Sequence, residues 1–262
     1  TLKEITEINE NTPEDCELEV FIHGSMCVAY SGRCLISNYM LGRDANKGIC
    51  SNACRYKYYL VEETRPGEYY PVIEDDNGTY IMNSKDLCMI KHIPDLMKSG
   101  INSFKIEGRM KSVYYVASVV KAYRQAIDTY FENPKEYKFN PKWMEYLVKP
   151  SHREFTTGFY FDEEVKQSYG SSSYIRAYEI VGIVKDYDSN TKVATIQEKN
   201  KVYNGETVEL LALEGDDKLI ELKNMKNADG DEIETANVPE MIFTIECELE
   251  LKKDDILIKN LP

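Results

Sequence analysis

The 262-residue sequence lacks any uninterrupted apolar run of about 18 to 20 residues, the length that a helix needs to cross a bilayer. Residues 1–5 show no basic head followed by an apolar stretch, so they do not resemble a secretory signal. Histidine is scarce, and neither His-Glu-x-x-His nor Gly-x-Ser-x-Gly occurs. These absences predict a cytoplasmic protein with no membrane partner and no familiar protease motif.

Positive charge is also in short supply, because 32 basic residues face 45 acidic ones and the net charge is −13. Such a balance argues against binding nucleic acid by bulk electrostatics, which depends on Lys and Arg neutralising phosphates. The charge is unevenly spread. Residues 23–60 contain one acid, Asp44, whereas residues 200–262 are strongly acidic. The bases of that segment are candidate contacts for an anionic group, with a solvated surface loop as the alternative: Arg33, Arg43, Lys47, Arg55 and Lys57.

Hydrophobic periodicity divides the first half into short elements. Residues 17–22 alternate in the manner of a strand that ends at His23 and Gly24. Helical spacing over residues 84–97 predicts a helix that Pro94 breaks or kinks and Gly100 stops. Residues 101–107 predict a strand, and residues 112–131 predict a long helix. Helix, strand and helix in this order, with polar residues after the strand, are typical of a β/α unit.

The second half has a different pattern. Residues 133–168 contain three prolines and one short amphipathic helix at 143–148, which predicts a connector. Beyond residue 173, short β-rich runs at 178–184, 193–196, 207–211 and 242–245 alternate with turn residues. We therefore predict a partial β/α barrel with a cysteine-rich loop over residues 1–132, a connector over 133–172, and a small β-barrel domain over 173–262.

Four of the seven cysteines lie close together in sequence, as Cys27-x6-Cys34-x15-Cys50-x3-Cys54. An odd total without a secretory signal favours reduced thiols or metal ligands over a disulfide framework. Thiolates select zinc or iron-sulfur clusters, and the two-residue gap common in structural zinc sites is absent. The wider gaps favour a 4Fe-4S cluster. Zinc and unligated or redox-active thiols remain alternatives.

Three further residues are candidates for catalysis. His23 stands at a strand end and could donate a proton, although a lone histidine is often a satisfied structural residue. Glu107 ends the next predicted strand and Arg109 follows it, so a carboxylate and a guanidinium at the strand terminus could position a substrate and its proton. The alternative for this pair is an internal ion pair that orders the loop.

Four motifs, in the same order, resemble the collagenase-like peptidases of unknown catalytic type: residues 19–37, 44–56, 80–87 and 104–112. The likeness is strong over about the first 165 residues and weak over the β-rich tail. Within that family the chain is most similar to the bacterial tRNA hydroxylation group. Members of that group help convert the wobble uridine to 5-hydroxyuridine without molecular oxygen, drawing on prephenate.

The resemblance implies a TIM-like β/α barrel, of which this chain would be the C-terminal part, followed by a C-terminal β-barrel. It also implies a 4Fe-4S cluster on Cys27, Cys34, Cys50 and Cys54, with prephenate as co-substrate. The implied partners are tRNA and, as a further candidate, a paralogous protein of the same family. With tRNA as the partner, the basic residues near the cysteines become candidate RNA-binding residues: Arg33, Arg43, Lys47, Arg55 and Lys57. Two other functions remain open. One is a peptidase, as the family name suggests, and the other is a nucleic-acid- or partner-binding module with a structural cluster.

Overall fold

The computed structural model describes residues 1–27, 33–56, 59–61, 63–67, 70–71, 85–161, 174–212, 215 and 217–261. The chain forms two compact units. The first contains Thr1–Ser112, Tyr123–Trp143 and His152–Ile175, and the second contains Val113–Ala122, Met144–Ser151 and Arg176–Pro262. The predicted boundaries at residues 132 and 172 stay predictions.

The helices and strands of the first part of the chain are, in order, α1 (Leu2–Asn11), β1 (Glu19–Ser25), α2 (Ile36–Leu41), β2 (Tyr59–Leu60), β3 (Tyr70–Pro71), β4 (Asp86–Cys88), α3 (Ile93–Lys98), β5 (Ser103–Ile106), α4 (Val113–Glu132), α5 (Pro141–Val148) and β6 (Phe155–Thr156). The predicted strand at 17–22, the strand at 101–107 and the helices at 112–131 and 143–148 are confirmed within a few residues.

The predicted helix over residues 84–97 is wrong in its first half. Residues Asp86–Cys88 form the fully buried strand β4, a 3-10 turn follows, and helix α3 begins only at Ile93. Pro94 therefore lies in the first turn of a helix, where its missing N–H is not needed, rather than in the middle of one. The apolar run suited a buried strand as well as a helix, and pairing with β1 decided between them.

The sheet of the first unit has the order β5-β1-β4-β6. Strand β1 runs parallel to β5 and antiparallel to β4, and β4 runs parallel to β6. A TIM-like barrel is parallel throughout, so the antiparallel β1–β4 pair differs from the predicted pattern, and the TIM-like barrel stays a prediction. The carboxyl ends of β1 and β5 lie side by side, so the residues that follow them meet at one edge of the sheet.

The second unit is built on a seven-stranded antiparallel sheet with the order β11-β10-β15-β7-β8-β14-β12. Its strands are β7 (Tyr178–Asp188), β8 (Val193–Glu198), β10 (Thr207–Leu211), β11 (Lys218–Glu221), β12 (Lys223–Asn227), β14 (Ile242–Glu246) and β15 (Ile256–Asn260). Two short strands, β9 (Val202–Tyr203) and β13 (Thr235–Ala236), form a separate pair. The four predicted β-rich runs are all strands, namely β7, β8, β10 and β14.

This sheet curls strongly because its two edge strands are consecutive in sequence. Only Leu222 separates β11 from β12, so the end of one and the start of the other lie within about 7 Å along the chain. A flat sheet of seven strands would hold its edges about 29 Å apart. Within the described ranges no ladder joins β11 to β12, so the predicted β-barrel is observed as a curled half-barrel. The apolar core of the unit includes Ile196, Phe243 and Leu257.

The second unit also buries charge. Lys121 of helix α4 donates hydrogen bonds to the carboxylate of Asp217, at 2.7 Å, and to the carbonyl of Ala212, also at 2.7 Å. The two charged side chains are only 8% and 7% exposed. Lys149 forms a second, partly buried pair with Glu209. Because buried charges are costly unless they are paired, these contacts hold the helical segments and strands β10 and β11 of the unit in a fixed arrangement.

No helix among the described residues is both long enough and apolar enough to cross a membrane.

We expect Lys121→Ala to destabilise the second unit, because it leaves the buried carboxylate of Asp217 without its cation. The free energy of opening β10, measured by hydrogen exchange, should fall by about 3 kcal/mol. Lys223→Ala is the matched control. It removes an exposed pair with Glu221 in the same unit and should cost less than about 1 kcal/mol. Equal losses in the two variants would contradict the role given to the buried pair.

Candidate functional site

A cavity of about 610 Å³ opens at the strand ends of the first unit. Strand β1 supplies His23, Gly24 and Ser25, strand β4 supplies Leu87, and the residue after β5 supplies Glu107. Apolar side chains, among them Phe21 and Phe159, make up much of the remaining wall. A cavity of this size, mostly apolar with a few convergent polar groups, is typical of a small-molecule site.

All four clustered cysteines line this one cavity: Cys27, Cys34, Cys50 and Cys54. All seven cysteines of the chain are free thiols. Cys16 is exposed, and Cys88 and Cys247 are buried apart from the cavity lining, so three thiols are not part of the group. In the part of the chain that is described, no three Cys, His, Asp or Glu side chains converge closely enough to hold a single metal ion.

Residues 33–56, which we call the cysteine segment, are held in place by polar contacts. The hydroxyl groups of Ser37 and Ser51 lie 2.9 Å apart, and the backbone N–H of Ser51 donates to the Ser37 hydroxyl. The side chain of Asn46 donates to the carbonyl of Cys34 at 3.1 Å. The backbone N–H of Asn52 donates to the sulfur of Cys50 at 3.3 Å. The sulfur of Cys50 is thus a hydrogen-bond acceptor within this segment.

His23 lies at the inner end of the cavity and is 1% exposed. Its Nδ1 is 3.4 Å from the hydroxyl of Tyr123, which itself donates to the carbonyl of Ile22 at 2.9 Å. Because that hydroxyl proton is committed to Ile22, a hydrogen bond with His23 requires the imidazole proton on Nδ1. Burial lowers the pKa of His23 from 6.5 to about 3, against the opposing effect of Asp86. The ring is therefore neutral at physiological pH.

Glu107 reaches the cavity because Gly24 has no side chain. A Cβ at Gly24, whose φ is +124°, would lie 2.5 Å from the carbonyl oxygen of Glu107. The backbone N–H of Glu107 donates to the carbonyl of His23 at 2.8 Å, which extends the β1–β5 contact by one residue. The Glu107 carboxylate then accepts from the backbone N–H of Arg109 at 3.2 Å. This is a loop-ordering contact made through the backbone of Arg109.

The guanidinium of Arg109 lies directly over Gly48 in the cysteine segment. A Cβ at Gly48 would sit 1.2 Å from a terminal nitrogen of Arg109, and Gly48 adopts a left-handed φ of +80°. The loop after β5 and the segment that carries Cys50 are therefore in contact through these two residues. Of the two residues predicted as a catalytic pair, Glu107 lines the cavity and Arg109 has its guanidinium on the cysteine segment.

The structure describes only some of the predicted RNA-binding residues in full. Arg33, Arg43 and Lys47 are exposed, and Lys47 lies 3.7 Å from the carboxylate of Asp44. Arg55 ends a 3-10 turn, but its side chain lies outside the described residues, as does the whole of Lys57. Their proposed contact with RNA stays a prediction.

A buried ionic cluster beside the cavity was missed from the sequence. The carboxylate of Asp86, which is fully buried, accepts from the backbone N–H of Arg153 at 3.1 Å and lies 3.8 Å from the ammonium of Lys111. Both cations pack over the ring of Tyr174. Asp86 and Lys111 fall within the sequence motifs at 80–87 and 104–112, which was a usable signal. No local signal marks Arg153, because only the fold brings it to Asp86.

Fold and site together define a mixed helix-and-strand protein with a thiol-lined cavity at its strand ends and a curled antiparallel sheet in its second unit. Residues 1–169 match the model of peptidase family U32, and residues 176–257 match the peptidase family U32 C-terminal domain. The chain therefore belongs to peptidase family U32, the collagenase-like family, which confirms the resemblance carried by its four motifs.

Three curated relatives illustrate the family. The chain is 35% identical, over 98% of its length, to tRNA hydroxylation protein P1 of Bacillus subtilis, of which it covers 61%. It is 37% identical, over 88% of its length, to tRNA hydroxylation protein P of Escherichia coli, of which it covers 59%. It is 41% identical, over 79% of its length, to an uncharacterized protease of Methanocaldococcus jannaschii, of which it covers 52%. The chain thus spans less than two thirds of each relative.

The low pKa of His23 makes the folded state less stable in acid. Between pH 6.5 and about pH 3 the unfolded chain takes up a proton that the folded chain does not bind. Stability should therefore fall as the pH falls, by up to about 1.4 kcal/mol per pH unit from this group. We expect His23→Gln to flatten the dependence of the unfolding free energy on pH between 7 and 4.5, as measured by urea denaturation.

The quantity to compare is the slope of the unfolding free energy against pH, because replacing the buried ring of His23 also changes the free energy itself through packing. His92→Gln is the control, since His92 is more exposed and lies 3.3 Å from the carboxylate of Asp95. Parallel stability curves for the wild type and His23→Gln would contradict a neutral, buried imidazole.

The contact between Arg109 and Gly48 can be measured by a double-mutant cycle. In Gly48→Ala the guanidinium is already displaced, so a further Arg109→Ala change should cost less than it does in the wild type, by about 1 kcal/mol. Gly42→Ala is the matched control. Gly42 has a similar φ of +64° in the same segment, but a Cβ there would meet nothing within 4 Å. Coupling of Arg109 with Gly42 should be within about 0.5 kcal/mol of zero, and equal coupling with both glycines would refute the contact.

Proposed function

We propose that this protein takes part in the oxygen-independent hydroxylation of tRNA, forming 5-hydroxyuridine from the wobble uridine with prephenate as co-substrate. We further propose that Cys27, Cys34, Cys50 and Cys54 hold a 4Fe-4S cluster. The observation that carries the proposal is that these four thiols, separated by gaps of unequal length, line one cavity together with Glu107 and His23. Two relatives named for tRNA hydroxylation, matched over most of this chain, support the substrate class.

The donor set suits a multi-iron group. Four thiols are soft ligands, and they line a cavity wall without converging on one point as a single zinc ion requires. The N–H of Asn52 that reaches the sulfur of Cys50 is the kind of contact that tunes such a site. When bound, the cluster supplies one-electron transfer at the cavity wall.

The protein's own residues then have separate roles. The apolar wall, which includes Phe21, Leu87 and Phe159, excludes water and can hold a flat or ring-shaped group. We propose that the Glu107 carboxylate accepts or returns a proton at the substrate, because Glu107 lines the cavity. Neutral His23 contributes a hydrogen-bonding ring rather than a charge, because burial keeps its pKa near 3. Arg109 orders the wall through Gly48 and Glu107.

The finer architecture belongs to the same proposal. We propose that the first unit is part of a TIM-like barrel, since β5 is followed directly by the long helix α4 and the candidate side chains stand at strand ends. A cytoplasmic location, tRNA as partner, and a paralogous protein as a further partner are consistent with this function.

A peptidase is the second candidate, because the family carries that name and one relative is named as a protease. A zinc peptidase needs three convergent ligands, and no such trio is found among the residues that the structure describes. Proteolysis by the full-length protein that survives replacement of all four cavity cysteines by Ala would favour this candidate over hydroxylation.

Hydroxylation is tested in a strain that lacks the gene for the full-length protein. Mass analysis of its tRNA nucleosides should show loss of 5-hydroxyuridine and its derivatives, and the wild-type gene should restore them. A Glu107→Gln gene should restore them poorly, because the amide cannot exchange a proton. Unchanged nucleosides in the deletion strain would rule out the proposal.

The cluster is tested by its colour and metal content. Anaerobically purified full-length protein should be brown, with broad visible absorbance and about four irons for each chain. Replacing Cys27, Cys34, Cys50 or Cys54 singly by Ala should remove most of the absorbance. Cys16→Ala is the matched control, since Cys16 is an exposed thiol outside the cavity, and it should retain full absorbance. Colourless, metal-free wild-type protein would disprove the cluster.

A further inference from the structure

The short helix α2 presents large apolar side chains to solvent. Tyr39 is 91% exposed and Leu35 is 72% exposed, and Leu41 and Ile49 are also exposed. Leu35 and Tyr39 lie one helical turn apart, because the N–H of Tyr39 donates to the carbonyl of Leu35 at 2.9 Å. Exposed apolar groups that are clustered in this way mark a contact surface more often than scattered ones do.

The same helix is anchored on its other side. Ser37 is its one buried residue, and its hydroxyl bonds to Ser51. Residues two apart in a helix point about 200° from each other, so Tyr39 faces away from the Ser37 anchor. Gly42 then ends the helix in a left-handed conformation, with its N–H bonded to the carbonyl of Asn38 at 2.8 Å. The ring of Tyr39 therefore projects into solvent from a helix that these hydrogen bonds hold in place.

Basic residues flank the exposed ring. Arg33 precedes the helix, Arg43 follows it, and both side chains are exposed, as is Lys47. The one acid in the cysteine segment, Asp44, is engaged locally, since it caps the turn at Asn46 and lies 3.7 Å from Lys47. In a chain of net charge −13, this segment is a positive surface, and it is complementary to a polyanion.

The surface is continuous with the cavity. Cys34, Asn46 and Cys50 line the cavity wall, while their sequence neighbours Arg33, Lys47 and Ile49 face solvent. An enzyme that acts on a base takes that base into a pocket and leaves the flanking nucleotides on the rim. Rings that stack bases, with cations that contact phosphates, are the usual components of a single-strand RNA surface.

We propose that Tyr39, with Arg33, Arg43 and Lys47, forms a binding surface for single-stranded RNA on which an unpaired base stacks against the Tyr39 ring. The choice of RNA as the polyanion rests on the proposed function, and the surface itself rests on exposure and charge. In this arrangement the target nucleotide enters the thiol-lined cavity and a neighbouring nucleotide is held at helix α2.

The test is fluorescence anisotropy of the full-length protein with a labelled anticodon stem-loop RNA. Tyr39→Ala should weaken binding about tenfold or more, because it removes one base-stacking ring. Tyr39→Phe should bind within about twofold of the wild type, because phenylalanine keeps the stacking face. Arg43→Ala and Lys47→Ala should each reduce the slope of log affinity against log salt by about 1, as expected for phosphate contacts.

Tyr203→Ala is the matched control. Tyr203 is also exposed and also lies beside a lysine, Lys201, but it belongs to the second unit, whose sequence is rich in acids. Its replacement should leave RNA affinity unchanged. Since Tyr39 is almost fully exposed, its replacement should leave the circular dichroism spectrum unchanged, and cluster absorbance should be retained as well.

Wild-type affinity in folded Tyr39→Ala would overturn the proposal, as would equal losses in Tyr39→Ala and Tyr203→Ala. A Tyr39-dependent dimer, or Tyr39-dependent binding to anionic lipid vesicles without a change in RNA affinity, would assign the surface to another occupant. The two proposals fail separately. A deletion strain with unchanged nucleosides rejects hydroxylation even if RNA binding needs Tyr39, whereas restored hydroxylation with Tyr39-independent binding rejects only the RNA surface.

Discussion

The close approach of strands β1 and β5 at Gly24 is the constraint on which the site depends. With no side chain at this position, the backbone of Glu107 can lie against Gly24 and bond to the carbonyl of His23. The contact sets the direction of the loop after β5. Glu107 thereby lines the cavity, and Arg109 reaches Gly48 in the cysteine segment. A side chain at Gly24 would collide with backbone, which cannot move aside as a flexible side chain can.

The cysteine segment illustrates how a stretch with little regular structure can still be ordered. It has one helix of six residues and two 3-10 turns, so backbone hydrogen bonding alone does not define it. Polar contacts at Ser37, Ser51 and Asn46 and the Arg109 contact at Gly48 supply the remaining restraints. The result is a wall on which three thiols face the cavity while Tyr39 and the basic side chains face solvent. One short segment thus presents two chemically different surfaces, a thiol-bearing wall towards the cavity and an aromatic and basic face towards solvent.

Buried charge is handled differently in the two units. In the second, Lys121 and Asp217 form a direct pair at 2.7 Å that fixes helical residues to the strand segment. In the first unit, the carboxylate of Asp86 lies 3.8 Å from the ammonium of Lys111 and accepts from the backbone N–H of Arg153, and both side chains pack on the ring of Tyr174. Burial lowers the pKa of the nearby His23, so its ring is neutral. The Lys121–Asp217 pair of the second unit therefore has a structural role. The Asp86 group instead gathers a carboxylate, two cations and a neutral histidine in the first unit, where His23 and Leu87 line the cavity.

Periodicity and residue type were enough to predict many of the secondary-structure elements and the candidate ligands of this protein. The alternation at 17–22, the apolar stripe of helix α4, the β-rich tail and the cysteine spacing are local patterns, and each predicted its element or its group of ligand candidates. Four motifs were enough to indicate the family. Tertiary structure decided the rest: that residues 86–88 form a strand by pairing with β1, that the tail curls into a half-barrel, and that Arg153 meets Asp86. It also decided that Arg109 lies on Gly48, because contacts between residues far apart in sequence depend on packing and leave no periodic signal in the chain.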